Sequence, residues 1–351
     1  LQYEPAIRPK IELVKTAKGM GLMSKRLQYL VSGDSKEQNF FKDYFGTLLG
    51  YAAARVPEIS DQYYPLDDAM RTGYVWDFGP FEYWDLIGLE RGMELIKAQE
   101  GQIPQWILDL QAAGGTSFYK FENGQKKYFN IQSKTYEPLP GTESFIILDS
   151  YREQAPVLKN SECTVHDIGD GVLCLEFTSK SNSIGEGIGK GLHEAIELAE
   201  EGDWKGLVIG NNAKQFSVGA NLMNIGMFAM QKQFDVLERF VDDFQKINMK
   251  IRTSKIPVVV STQGYVFGGG CEISMHCDAG IYAAESYIGL VEVGVGLLPG
   301  GGGTKEFALR ASDDFFEGDV QNPTLINYFK SIATAAVSSS AYEAYDLGYL
   351  K

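Results

Sequence analysis

The strongest constraint on the fold is a regular alternation of segments in the second half of the chain. Short, mostly apolar runs, predicted as strands, occur at 172–177, 206–210, 256–261 and 279–284. Amphipathic segments predicted as helices lie between them, at 192–201 and 234–248. This alternation predicts an α/β unit in which helices cover near-parallel strands. Glycine clusters lie where the strands end, which is the usual place for ligands in such sheets.

The first half of the chain has a helical pattern instead. Apolar residues recur there at three- and four-residue steps, around Phe45 and again around Met93. This spacing is typical of helices with one apolar face, and packing in a core is the simplest role for those faces. Gly79 and Pro80 interrupt the pattern, so a helix is predicted to begin at that point.

The composition changes between the two halves. Of the 39 glycines, 25 follow residue 150, whereas three of the four tryptophans lie in the first half. Three prolines and a loss of periodicity mark 135–166, as in a connector or a short paired stretch. At 351 residues the chain is long enough for two folding units. We therefore predict a helical domain at 1–134, a linker at 135–161 and an α/β domain at 162–351.

Charge and cysteine content exclude several classes of function. Acidic residues outnumber basic ones by 46 to 32, giving a formal net charge of −14. Such a balance argues against nucleic acid or an anionic membrane as a partner, and no apolar run approaches the ~20 residues that span a bilayer. The four cysteines form no CxxC pair and are expected to be reduced core thiols. With only three histidines, no metal site is predicted.

A glycine-rich run at 185–191 invites a nucleotide-binding interpretation. Its glycines occupy every second position, so it does not match GxGxxG in any register, and GxxxxGK[ST] is absent from the sequence. The run is therefore predicted to be a flexible turn that enters a helix. GxSxG and HExxH are absent too, which leaves serine-hydrolase and metalloenzyme hypotheses without support.

Three glycine-containing segments, at 216–221, 264–272 and 289–304, have the composition of a binding site. Within the second, Gly268, Gly269 and Gly270 follow a predicted strand and precede a predicted helix. Glycine amides there point at a ligand without side-chain obstruction, and the helix N-terminus adds partial positive charge. This arrangement suits negative charge developing on an acyl oxygen, where one such donor contributes ~3 kcal/mol in the transition state.

Glu272 and Glu292 are the two carboxylates near these segments. If both face one cavity, burial and mutual repulsion raise at least one pKa, which suits proton transfer near neutral pH. One carboxylate would then activate a water while the other exchanges a proton with carbon. The alternative is that both are solvated surface carboxylates. His276 follows Glu272 by four residues, so it either tunes that glutamate or is a packed or surface histidine.

Together the three segments resemble the signature of the enoyl-CoA hydratase/isomerase (crotonase) superfamily. That signature joins an AGAD-type loop, a GGGCE helix start and a second glutamate, matched here by VGAN at 218–221, GGGCE at 268–272 and Glu292. The resemblance extends from 162 to 351 and implies a crotonase-like ββα spiral domain. Asn221 stands where the family commonly has aspartate.

This resemblance implies roles for individual residues. The amides of Ala220 and Gly269 would form the oxyanion hole for a thioester carbonyl. Glu272 would orient and activate the water that attacks the β-carbon, and Glu292 would donate a proton to the α-carbon.

Two further positions match the family. Lys214 corresponds to a basic position near the phosphates of coenzyme A, and the amide of Gly300 to one that helps to hold the water. Each has a structural alternative, because Lys214 also fits a solvated loop lysine and Gly300 a structural turn.

The first half has a resemblance of its own. Residues 79–89, GPFEYWDLIGL, are similar to a GPFELxDxxGL segment in the C-terminal helical domain of 3-hydroxyacyl-CoA dehydrogenases, and 112–119 fits the same neighbourhood. In this order the two halves resemble bacterial multifunctional β-oxidation proteins in which the dehydrogenase precedes the hydratase. The expectation is that NAD binds to a domain outside this sequence, that this chain binds no cofactor, and that the last crotonase helices are truncated.

These resemblances imply an enoyl-CoA hydratase module acting on an acyl-CoA substrate in fatty-acid β-oxidation. The full-length form would also be an NAD-dependent 3-hydroxyacyl-CoA dehydrogenase, a cytoplasmic homo-oligomer with a thiolase as partner. Two alternatives stay open. One is a Δ3/Δ2-enoyl-CoA isomerase, which can use a single carboxylate. The other is a non-catalytic acyl-CoA-binding module, in which aromatic residues expected to be exposed around 81–84 would form an assembly interface.

Overall fold

The chain forms two compact units that divide between Ile146 and Ile147. The computed structural model describes residues 10–122, 124–152, 154–320 and 322–351, so the first nine residues of the predicted helical domain lie outside the described part. No helix in those described ranges is long and apolar enough to cross a membrane.

The first unit is helical with a small sheet at its end. Among its described residues the helices are α1 (Glu12–Gly19), α2 (Met23–Leu30), α3 (Lys36–Ile59), α4 (Tyr64–Tyr74), α5 (Pro80–Ile87), α6 (Leu89–Ala98) and α7 (Gln105–Ala112). The strands β1 (Tyr119–Glu122), β2 (Gln125–Asn130) and β3 (Thr135–Pro138) form an antiparallel sheet in the order β1-β2-β3. The helical pattern of the first half is thus confirmed, and the sheet was not predicted.

The helix predicted near Gly79 begins where expected, with Gly79 as N-cap and Pro80 as its first residue. The expectation that the aromatic residues around 81–84 are exposed is wrong. Phe81 and Trp84 are fully buried in an aromatic cluster with Tyr63 and Phe118. Because positions three apart share one face of a helix, α5 directs both rings into this core. They are therefore unavailable for an assembly interface.

The segment predicted as a linker, 135–161, contains paired strands at both ends. Residues 135–138 form β3, in which Pro138 pairs with Lys127 of β2. Residues 158–159 form a short strand of the second unit. Of the two interpretations of this segment, a connector or a short paired stretch, the second describes these ends. Prolines are compatible with both, because they are tolerated at the ends and edges of strands as well as in linkers.

The second unit is built on a six-stranded sheet. Its strands are β4 (Leu158–Lys159), β5 (Cys163–Asp167), β6 (Val172–Phe177), β7 (Gly206–Ile209), β8 (Val258–Phe267) and β9 (Ala279–Gly289), hydrogen-bonded in that order. The first three pair antiparallel, whereas β6 to β9 pair parallel. The predicted parallel strands are thus confirmed, but β8 is longer than predicted, since a register shift between Thr262 and Gly264 lets it continue past the glycine.

Helices of the second unit connect these strands and follow the last of them. In the described residues they are α8 (Glu186–Glu201), α9 (Leu222–Met230), α10 (Phe234–Arg252), α11 (Gly269–His276), α12 (Gly303–Asp313), α13 (Pro323–Ala333) and α14 (Ala341–Asp346). The core of the unit lies between the sheet and α8, α10 and α11, with Leu175, Ile196 and Ile273 among its fully buried side chains. The helix α11 begins at Gly269, two residues after the last residue of β8.

The glycine-rich run at 185–191 is not a flexible turn, because the first turns of α8 begin inside it at Glu186. Its glycines allow close contact instead. A Cβ on Gly191 would overlap the sulfur of Cys163, and a Cβ on Gly187 would lie 2.9 Å from a carboxylate oxygen of Glu162. Glu162 in turn accepts a hydrogen bond from the amide of Ile188 at 3.1 Å. A carboxylate of the chain itself therefore covers this helix start.

Asp67 connects the small sheet of the first unit to its helices. Its carboxylate is fully buried and accepts hydrogen bonds from the amide of Phe81 at 2.9 Å and the hydroxyl of Tyr119 at 2.7 Å. Burial raises the pKa of Asp67 to about 7 against these two bonds. In the unfolded chain an aspartate has a pKa of about 3.9. The folded state thus binds this proton more tightly, and stability is lost as the pH rises from about 4 to about 7.

We predict that Asp67→Asn removes this loss. Asparagine retains an acceptor for Phe81 and gains a donor for the Tyr119 oxygen, without an ionisable group. Urea unfolding followed by tryptophan fluorescence should show that the stability of the variant relative to wild type rises by about 2.5 kcal/mol between pH 5 and pH 8. Asp61→Asn, the same change at an exposed aspartate, is the control. An equal pH dependence in wild type and Asp67→Asn would contradict the prediction.

Candidate active site

The site begins where the segment 216–220 runs beside the end of β8. Ser217 donates its amide to the carbonyl of Tyr265 at 2.9 Å, and Phe267 donates back to Ser217 at 3.0 Å. These bonds bring Gly219 against the chain turn after β8. Gly219 has φ +88°, and a Cβ there would lie 2.9 Å from the carbonyl oxygen of Phe267. Only glycine fits this close approach without strain.

Two backbone amides meet at this point. Ala220 is held on both sides, because Ile184 donates to the carbonyl of Gly219 at 2.8 Å and Asn221 donates to the carbonyl of Ile184 at 3.0 Å. Gly269 is the first residue of α11, where an amide has no partner within the helix. In the described part of the chain, neither amide donates a hydrogen bond to a protein acceptor. The two residues predicted for the oxyanion hole are thus available as donors.

Glu272, in the first turn of α11, is 2% exposed. Its Oε1 accepts hydrogen bonds from the amide of Gly301 at 2.8 Å and the amide of Gly303 at 2.9 Å. Burial raises the pKa of Glu272 to about 7, while the amides of Gly303, Gly301 and Gly302 oppose that rise. Several donors on one carboxylate favour its ionised form, which suits a group that accepts a proton from water.

Glu292 opens the short 3-10 helix Glu292–Val295 that follows β9. Its Oε2 is buried without a hydrogen-bond partner in the described residues, and its Oε1 would lie 2.9 Å from a Cβ placed on Gly268. Burial, and then the charge of Glu272, raise the pKa of Glu292 to about 7. Glu292 therefore lies beside the glycine turn. The donor that favours its charged form is its own backbone amide, whereas Glu272 has three amides of the 301–303 loop.

When the two carboxylates hold one proton between them, that proton is on one of them more often than on the other. Glu272 has three loop amides as donors, Glu292 has only its own backbone amide among the donors described, and the charge of Glu272 raises the pKa of Glu292. The form with Glu272 ionised and Glu292 protonated is therefore favoured over the reverse. The pair titrates in two macroscopic steps, since the charge on one raises the pKa of the other. In its singly protonated form the site thus has one carboxylate that can accept a proton and one carboxyl group that can donate one.

Lys214 and Gly300 flank this centre. Lys214 is exposed and lies just before the 216–220 segment. The carbonyl of Gly300 accepts a hydrogen bond from Nε2 of Gln245 at 2.7 Å, while the next residue of the loop, Gly301, contacts Glu272. The roles predicted for Lys214 with coenzyme A and for the Gly300 amide with water remain predictions.

His276 is a packed histidine. Its Nδ1 lies 2.6 Å from the backbone carbonyl of Glu272 and its Nε2 3.0 Å from Nζ of Lys305. Burial lowers the pKa of His276, so the neutral ring donates from Nδ1 and accepts at Nε2. It therefore supports the backbone of α11 and makes no hydrogen bond to the Glu272 carboxylate.

Asn221 has a local role that explains its residue type. It is the N-cap of α9, and its side chain accepts from the amides of Met223 and Asn224. Asparagine and aspartate are about equally good at this position. The departure from the family pattern therefore leaves the backbone at Ala220 in place.

Helix α10 also contributes to the site, which the sequence patterns did not predict. The ring of Phe244 lies beside both Gly269 and Gly301. A Cβ placed on Gly269 would lie 3.1 Å from this ring, and a Cβ placed on Gly301 would overlap it. Asn248, fully buried, donates to the carbonyl of Gly301 at 2.8 Å. One indication was available, because Asn248 lies on the apolar face of an amphipathic helix, where a polar side chain needs a partner.

Comparison with known proteins gives a family match for part of the second unit. Residues 167–316 match the enoyl-CoA hydratase/isomerase family. This range contains the 216–221 segment, the GGGCE turn and both glutamates. The part of the chain that carries the candidate site is therefore similar in sequence to enoyl-CoA hydratases and isomerases.

Two longer curated proteins match most of the chain. A probable 3-hydroxyacyl-CoA dehydrogenase of Bacillus subtilis is 37% identical over 344 residues, which are 98% of this chain and 42% of the relative. A putative fatty acid oxidation complex trifunctional enzyme of Rickettsia felis is 27% identical over 82% of this chain and 37% of its own length. A solved enoyl-CoA hydratase structure from Geobacillus kaustophilus aligns with 55% of this chain and 68% of its own, at 25% identity and a TM-score of 0.46. The chain thus spans less than half the length of these two curated relatives.

We predict that Gly301→Ala destabilises the second unit. The added methyl group would overlap the ring of Phe244 and lie 2.6 Å from Oε2 of Glu272. Overpacking of this kind costs about 1–3 kcal/mol, which thermal unfolding would detect as a lower Tm. Gly300→Ala is the matched control, since its nearest neighbour would be Val241 at 3.6 Å. Equal melting temperatures for the two variants would refute this account of the loop.

We also predict that Glu272→Gln lowers the pKa of Glu292, because the charge of Glu272 helps to raise it. Infrared difference spectra of the carboxyl groups, with Glu292 assigned by the band lost in Glu292→Gln, would measure the change. Glu285→Gln, at an exposed glutamate, should leave the titration unchanged. If Glu292 titrates alike in wild type and Glu272→Gln, the two carboxylates are not coupled.

Proposed function

We propose that the second unit catalyses the reversible hydration of trans-2-enoyl-CoA to 3-hydroxyacyl-CoA. One observation carries the proposal. Glu272 accepts amide hydrogen bonds while Glu292 has a buried oxygen without a partner, and both lie next to the glycine turn at 268–269. Addition of water across a double bond needs such a pair, with one group that takes a proton and one that gives it.

In the proposed reaction the thioester oxygen accepts hydrogen bonds from the amides of Ala220 and Gly269. Glu272 takes a proton from water while the water oxygen bonds to the β-carbon. The electron pair of the double bond moves toward the thioester, so the developing charge is on the oxygen that these amides hold. Glu292 then gives its proton to the α-carbon. Transfer of a proton from Glu272 to Glu292 restores the starting state.

The outer part of the substrate is assigned by the family resemblance. Lys214 is proposed to contact the phosphates of coenzyme A, which its exposed position before the 216–220 segment permits. The amide of Gly300 is proposed to help hold the attacking water.

We propose that the complete protein is a multifunctional enzyme of fatty-acid β-oxidation. The names of the Bacillus and Rickettsia relatives support a 3-hydroxyacyl-CoA dehydrogenase joined to this domain. NAD would bind outside this sequence. Within the described residues, the glycine-rich start of α8 does not fit a dinucleotide phosphate, since the Glu162 carboxylate lies against it and accepts from Ile188. A homo-oligomeric state, a thiolase partner and a cytoplasmic location are proposed on the same resemblance.

We predict that this chain hydrates short and long trans-2-enoyl-CoA, measured as loss of the absorbance of the conjugated thioester. Glu272→Gln and Glu292→Gln should each lower kcat by about 10²- to 10⁴-fold, because each removes one proton-transfer step. Glu285→Gln should retain full activity. Loss in both glutamate variants would support a hydratase.

The same variants separate the alternatives. If 3-enoyl-CoA is isomerised and only one of the two variants abolishes that activity, the protein is an isomerase. Acyl-CoA binding without turnover, also in a form extended to the full length of the relatives, would support a binding module and contradict the proposed function.

A further inference from the structure

The loop at 300–303 donates its amides to Glu272, but the loop consists of glycine alone. Glycine has the greatest freedom in φ and ψ of any residue. An isolated loop of this composition would not keep its N–H groups directed at one carboxylate. Something else must hold these peptides in place.

Two side chains of α10 contact the same peptides from the opposite side. Nε2 of Gln245 donates to the carbonyl of Gly300 at 2.7 Å, and Nδ2 of Asn248 donates to the carbonyl of Gly301 at 2.8 Å. Residues three apart lie on one face of a helix. Gln245 and Asn248 are therefore placed together on the face of α10 that meets the loop.

Peptide geometry links these contacts to Glu272. In a trans peptide the C=O and the N–H point in opposite directions from one plane. The peptide whose carbonyl binds Gln245 is the one whose N–H, on Gly301, donates to Glu272 at 2.8 Å. The next peptide, held by Asn248, lies between the two residues that donate to Glu272, Gly301 and Gly303. A hydrogen bond at each carbonyl also polarises its peptide and strengthens the N–H as a donor.

We infer that Gln245 and Asn248 are positioning residues, which hold the 300–302 peptides so that the amides of the loop face the Glu272 carboxylate. Neither side chain is placed at the reacting atoms. They act through the backbone, keeping Glu272 ionised and oriented. This inference deepens the proposed function, and its kinetic test rests on that function.

The experiment compares Gln245→Met and Asn248→Leu, which remove the donors at similar volume. Gln245 is exposed, so its variant should fold even if the buried Asn248→Leu does not. Gln233→Met is the matched control, since Gln233 is exposed and its side chain makes no cap hydrogen bond at the start of α10. The Glu272 carboxyl is titrated by infrared spectroscopy, with Glu272→Gln to assign its band.

The expected result is a higher pKa of Glu272, by about half a unit in Gln245→Met and about one unit in the double variant. In hydration kinetics the rising limb of kcat against pH should move to higher pH by the same amount. At a pH below the wild-type limb this is about a tenfold loss of kcat for the double variant, with KM little changed. As the pH rises above that limb, the ratio of variant to wild-type kcat should return to one. A merely structural role would lower kcat equally at every pH.

Two outcomes are distinguishable. If Glu272 titrates in Gln245→Met as in wild type and in the Gln233→Met control, the inference is overturned. If no variant and no wild-type protein hydrates enoyl-CoA, the proposed function fails, while the infrared titration still decides whether Gln245 and Asn248 control Glu272.

Discussion

The burial of the Glu272 carboxylate is the interaction on which the candidate site depends. A buried carboxylate is unfavourable by several kcal/mol unless hydrogen bonds compensate, and here the compensation comes from backbone amides at 301–303. These hydrogen bonds hold the 301–303 loop, which follows β9 in the chain, against α11, which follows β8. This contact also explains the glycines, because a side chain at 301 would occupy the space of Phe244 and of Glu272 itself.

The same arrangement separates the chemistry of two identical side chains. Glu272 and Glu292 both have a pKa raised to about 7 by burial, yet three loop amides favour the charge of Glu272 and only one amide, its own, that of Glu292. Their different hydrogen bonding, and not their residue type, is the basis for the proposed roles of proton acceptor and proton donor. The parallel sheet supports this difference, since the ends of β8 and β9 lie side by side.

The sequence predicted the elements whose patterns are local. The parallel strands followed from short, mostly apolar runs, the start of α5 from Gly79 and Pro80, and the segments proposed as catalytic from glycine clusters at strand ends. It failed where a residue's role depends on a distant partner. Phe81 and Trp84 were expected at the surface but are buried against Tyr63 and Phe118. Likewise, the glycines at 185–191 suggested flexibility. In the structure the absence of a Cβ at Gly187 and Gly191 lets the side chains of Glu162 and Cys163 pack against the start of α8.

The sequence by itself thus predicted the two-part organisation, the α/β class of the second unit and the two glutamates of the candidate site, because periodicity and motif spacing are properties of neighbouring residues. Only the tertiary structure decided that Gln245 and Asn248 contact the loop at 300–301, more than 50 positions away. It likewise decided which glutamate receives the amides of that loop. Hydrogen bonds and burial depend on distances in space, and these exist only once the sheet brings remote segments of the chain together.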